Sequence, residues 1–105
     1  MRARPEFLQE GNVVHGAILT AIADTCSVYL FFPDLEAGRS MASIEFKVNF
    51  INSATLGHGT MKAIAHTVKR GRTVAVSEVE VFQSKQLVLK GLFTYFFLDR
   101  PPLKK

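Results

Sequence analysis

The sequence predicts an α+β layer protein, one long central helix wrapped by an antiparallel sheet, in a single domain over residues 1–105. Three observations lead there. Residues 12–33, NVVHGAILTAIADTCSVYLFFP, are apolar on almost every side, and their polar line of Gly16, Thr20, Asp24 and Ser27 is spaced 4, 4 and 3, one face of a helix. From residue 40 onward the period changes to two and the composition to β-branched and aromatic runs. Turn-forming residues separate those runs, which pairs successive strands antiparallel.

In chain order, residues 1–11 (MRARPEFLQEG) form an extended lead-in, since Pro5 disfavours helix at Arg4 and Gly11 permits a sharp turn. Asn12 reads as the N-cap and places the amides of residues 15–17 in the first turn, where backbone N–H groups lack intrahelical acceptors and suit an anion or a developing oxyanion. Pro33 and Asp34 stop the helix after Phe32, and residues 34–40 form a loop. Over residues 40–51, Ile44, Phe46, Val48 and Phe50 alternate with Ser43, Glu45, Lys47 and Asn49, a half-buried strand. Residues 52–59 (NSATLGHG) connect it to a strand at 60–69, which Gly71 turns into a third at 73–82; a polar turn at 83–86 leads to the last at 87–98. The order predicts four strands in a meander with the helix laid across them. A helix of this length has two flanks and one small sheet covers one, so a second copy of the chain is expected on the other.

Hydrophobic residues at 48% and charged residues at 21% exclude a disordered or fibrous chain. The net charge of +4 is dispersed, which does not point to nucleic acid; Lys69, Arg70 and Arg72 around Gly71 form a local basic group, either a solvated hairpin tip or a seat for a polyphosphate, and Lys104 and Lys105 read as a solvated tail. A membrane-spanning role for residues 13–32 fails on Asp24, which would cost roughly 2.5 to 3.5 kcal/mol at the centre of a span. Residues 1–11 carry Pro5, Glu6 and Glu10 and no apolar run, so no secretory signal is expected there. The single cysteine, Cys26, fits a reducing cytoplasm and reads as a buried, inert thiol. His15, His58 and His66 have no ligand spacing with one another or with Cys26, so no metal site is expected.

Asp24 is the sharpest chemical candidate: a carboxylate on a rigid helix is either satisfied by Thr20, Ser27 or backbone donors, or serves as a general base or nucleophile. Gly16 is either a small residue where the helix start crosses another backbone or a donor that offers its amide to a carbonyl oxygen. Eight residues separate the two, about 12 Å along a helix, too far to grip one carbonyl within one protomer. A shared site therefore takes Asp24 from one chain and Gly16 from another.

The run Gln9-x5-His15-Gly16-x7-Asp24, followed by Asn49-Phe50, Ala54-x2-Gly57 and Arg70-Gly71-Arg72, resembles the hotdog-fold acyl-CoA thioesterases of the phenylacetic-acid-pathway branch, within the 4-hydroxybenzoyl-CoA thioesterase superfamily, over nearly the whole chain. The resemblance implies a homodimer, and a dimer of dimers, with sites at the subunit interface. It implies that the Gly16 amide polarises the thioester carbonyl, that Asp24 acts as nucleophile or general base, that Gln9 orients the carbonyl or the attacking water, and that a hydroxyl at Ser43 positions water. His15 matches the family's motif histidine in a helix-start role, and Lys69, Arg70, Gly71 and Arg72 stand where the family meets coenzyme A phosphates. No cofactor is implied beyond the coenzyme A of the substrate. Ala17 replaces a second glycine and the lead-in is short, which leaves the cover over the acyl pocket open. The His-Phe-Pro context of the dehydratase branch is absent around His15, as is the branch that places Asp before a His-Val-Asn turn. The expected activity is hydrolysis of an acyl-CoA or acyl-carrier thioester in the cytoplasm, the alternative a non-catalytic acyl-CoA binding module, with Ile22, Leu30 and Phe46 expected in the pocket floor.

Overall fold

Val13 and Val14 delay the helix. In a computed structural model, which describes residues 3–8 and 12–99, these two β-branched residues are extended and bridge to Thr55 and Leu8, with the Val14 N–H donating to the Ala54 carbonyl at 2.8 Å. Asn12 is therefore not the N-cap. It sits at φ 65°, a left-handed conformation that asparagine tolerates, and its side-chain amide donates to the Leu56 carbonyl. The cap is His15, whose carbonyl accepts from the N–H groups of Ile18 and Leu19 while its imidazole makes no capping bond.

The helix α1 spans Gly16–Phe31 and continues into a 3-10 turn at Phe32–Asp34, with proline where its missing N–H costs nothing. Four strands follow, β1 at Arg39–Phe50, β2 at Met61–Arg70, β3 at Val74–Gln83 and β4 at Gln86–Asp99. All pair antiparallel, in the order β1-β4-β3-β2. Only β2, β3 and β4 form a meander; the expected pairing of β1 with β2 is corrected. The ten residues between these strands are longer than a hairpin loop and carry the chain past the meander to the opposite edge. Gly57 and Gly59 in this link take positive φ of 86° and 99°.

One side of α1 packs on the sheet. Leu19, Ala23, Ser27 and Phe31, four residues apart, are buried against Met61 of β2, Ala75, Val79 and Val81 of β3 and Phe93, Tyr95 and Phe97 of β4. Phe31 meets the rings of Tyr95 and Phe97 edge-on at 6.1 and 6.5 Å. The opposite flank, Ala17, Ala21, Thr25 and Tyr29, is exposed. No described helix is long and apolar enough to cross a membrane.

Both edge strands carry a β-bulge. In β1 the register slips between Ser43 and Glu45, so Ile44 is the extra residue; in β2 it slips between Thr67 and Lys69 at Val68. The first slip corrects the simple alternation of residues 43–50. Ser43 stands opposite Tyr95 and Phe46 opposite Phe93, both on the face toward α1, whereas an unbroken period of two would aim Ser43 with Glu45. The second slip sets Arg70 opposite the buried Ala75, on that same face.

Candidate active site

Asp24 lies midway along α1, half-buried at a cavity of about 630 Å³ walled by the helix end, the 35–38 loop and the start of β1. Its expected local partners are engaged elsewhere. Thr20 donates to the Gly16 carbonyl at 2.8 Å, and Ser27 pairs with Ser77 of β3 in the core. The carboxylate is held from the sheet instead: the Tyr95 hydroxyl donates to Asp24 Oδ1 at 2.6 Å. Tyr95 is 1% exposed. Burial, and then the bond to Asp24, hold its phenol well above the ordinary tyrosine range. Tyr95 was missed in the sequence; the signal available was one hydroxyl-bearing ring in the row Gly91, Phe93, Tyr95, Phe97, where a buried phenol needs a partner, though not which partner.

Ser43 reaches the same cavity through the β1 bulge. Ile22, Leu30 and Phe46 do not floor it; Val28, Leu35 and Met41 supply its apolar wall, and Phe46 stacks on Phe93 at 5.6 Å near the β1 edge.

Gly16 opens α1 at a separate cavity of about 420 Å³, shared with Leu19, Phe50 and Ala54. A Cβ on Gly16 would fall 2.7 Å from the Phe50 ring, so the close neighbour of this glycine within the chain is a side-chain ring and not the expected backbone. Asp24 and Gly16 are thus kept apart, as their separation along the helix demands. His15 is exposed beside the helix start. Gln9 lies outside the described residues, as do Lys104 and Lys105.

Arg70, Gly71 and Arg72 line a third cavity of about 360 Å³, which shares Leu35, Glu36 and Arg39 with the Asp24 cavity. The Arg70 guanidinium stacks on the Phe97 ring at 4.2 Å. Arg39 braces the same corner, donating to the carbonyls of Arg72 and Phe97 at 2.9 and 3.1 Å and lying 3.4 Å from Asp99 Oδ1. Gly71 closes the hairpin, its N–H donating to the Val74 carbonyl at 2.8 Å where a Cβ would collide with that oxygen. Lys69 pairs with Val76 on the outer face and does not line this cavity. Arg39 was missed in the sequence because its role depends on which strand lies beside β1.

Cys26 is half-buried, its thiol directed at the Ala63 carbonyl and pushed up by burial, in keeping with an inert thiol. Among the described residues no three His, Cys, Asp or Glu side chains come together to hold a metal ion.

A comparison with known families matches residues 11–90 to the thioesterase superfamily. Among curated proteins, none matches this sequence. Solved structures do. A Haemophilus influenzae thioesterase superposes with a TM-score of 0.88 at 19% identity, covering 100% of this chain and 73% of its own. A Bacillus halodurans protein solved with coenzyme A gives 0.83 at 26%, covering 93% and 68%. A phenylacetic acid degradation-related protein from Ralstonia eutropha gives 0.84 at 27%, covering 90% and 70%. One helix on a four-stranded antiparallel sheet, the match over residues 11–90 and these likenesses agree: the chain belongs to the thioesterase superfamily and has its hotdog fold.

Proposed function

We propose that this protein hydrolyses acyl-CoA thioesters to the free acid and the thiol, as a homodimer whose sites draw on both protomers. The observation that carries the reading is the Asp24 carboxylate, held on a rigid helix and open to a cavity of about 630 Å³ in a thioesterase-superfamily fold. The Gly16 N–H of one protomer polarises the thioester carbonyl. Asp24 of the other attacks that carbon, or takes a proton from the water that does. The C–S bond breaks, and the thiolate leaves and is protonated. Where water attacks, the acid forms directly; where Asp24 attacks, a water molecule then hydrolyses the acyl–Asp24 anhydride to the acid and the free carboxylate. Ser43 beside Asp24 is placed to hold water, and Arg70 and Arg72 to meet the phosphates of coenzyme A at the adjoining cavity. Coenzyme A bound to the Bacillus halodurans relative supports the ligand class, and the Ralstonia eutropha relative supports the phenylacetic-acid-pathway branch.

Release of free thiol from a panel of acyl-CoA esters tests this. Wild type is expected to turn over at least one member, with Asp24→Asn and Asp24→Ala slower by about 100-fold or more. A panel untouched by wild type, or full activity in both variants, ends the reading. A second reading, binding without turnover, has one observation in its favour: the Phe50 ring lies over Gly16. Saturable binding with no thiol released would establish it.

A further inference from the structure

A carboxylate that must strike one carbon needs a fixed aim, and the group that meets Asp24 from the sheet is a buried phenol. The Tyr95 hydroxyl lies 2.6 Å from Asp24 Oδ1 and 3.4 Å from the Asp24 backbone carbonyl. A phenol has one proton to give and a carboxylate oxygen accepts it, so Tyr95 is the donor. The phenol is itself held fast: Tyr95 is fully buried, and the Phe31 ring of α1 packs edge-on against it at 6.1 Å.

We infer that Tyr95 is a positioning residue for the reaction at Asp24, its packed phenol holding the aim of the carboxylate. The inference rests on the hydrolytic reading of Asp24. Tyr95 reaches the wall of the same cavity, but its single hydroxyl proton is committed to the carboxylate. Its loss therefore lowers turnover with little change in apparent affinity.

The experiment has two parts. The first is a double-mutant cycle of Tyr95→Phe with Asp24→Asn, read by urea unfolding, which reports the bond whether or not a thioester is cleaved. A coupling of about tenfold in the unfolding constant is expected, and additive effects overturn the inference. The second is the steady-state kinetics of hydrolysis. Tyr95→Phe is expected to lower kcat by about tenfold or more with KM within about twofold. An active wild type beside a Tyr95→Phe enzyme whose kcat is unchanged, or whose loss lies in KM instead, overturns the positioning role alone. An inert wild type overturns the hydrolytic reading and this role together.

Discussion

Burial keeps the Tyr95 phenol protonated well past the pH at which a free tyrosine ionises, and that gives the residue a signature in stability. Burial comes first, the bond to Asp24 second; both raise its value above the ordinary 10.0, and Ser27 only partly opposes them. In the unfolded chain the phenol ionises near that ordinary value. The folded state then holds a proton that the unfolded state has lost, so its contribution is complete below pH 10 and drains away as pH rises toward the folded value. Cys26 has the same sign from its ordinary 9.0, because burial raises it too. The urea midpoint is expected to stay level up to about pH 8.5 and then fall. Tyr95→Phe should flatten the fall above pH 10, and Cys26→Ala should delay its onset. Denaturation series at half-unit steps check this, and a Tyr95→Phe slope equal to wild type would remove the phenol from the explanation.

Two one-residue bulges turn edge strands into suppliers of the site. In β1 the extra Ile44 aims Ser43 beside Tyr95; in β2 the extra Val68 aims Arg70 onto Phe97. Strand β4, the partner of β1, meets it at a tight point. A Cβ on Gly91 would fall 2.7 Å from the Lys47 carbonyl oxygen and 2.7 Å from Val48 Cγ1. Backbone cannot yield as a side-chain tip does, so Gly91→Ala should loosen β1 and cost about 1 to 3 kcal/mol in chemical denaturation. Amide exchange should be fastest along β1, while β2 and β3 keep their protection. These features explain what was legible. The helix and four strands declare themselves because period and composition persist over ten or more residues. A bulge changes one residue and leaves the alternation on each side intact, so the apparent polar face of residues 43–49 conceals the turn of Ser43. Strand order was hidden for a related reason, since residues 51–60 read as a connection whichever edge they reach. Asn12 has the chemistry of a cap, but the two valines after it prefer the bridges they form. Asp24 and Gly16 were visible as helix positions, and their separation followed from the rise per residue; the support of Asp24 from β4 was not, because it crosses 71 residues of chain.

At the scale of the molecule, one layer of helix on one layer of sheet leaves too much apolar surface bare. Large exposed aromatics stand where a second copy is needed. Phe46 and Phe50 of the β1 edge are 51% and 54% exposed on the face toward α1, and Tyr29 on the uncovered flank of the helix is 68% exposed. The outer side of β1 also carries unpaired backbone groups, a template for another strand. A second copy meeting this edge would cover the aromatic strip and bring one chain's Gly16 toward the other's Asp24. Sedimentation equilibrium at micromolar concentration is expected to give twice the 11.7 kDa chain mass. Phe46→Glu puts a charge in the strip, does not alter a residue lining the Asp24 cavity, and should give a folded monomer that has lost thioester turnover. A wild-type monomer, or a monomeric Phe46→Glu protein with full activity, would show that one chain holds a complete site and that the Gly16 amide must be replaced by a donor from the same protomer.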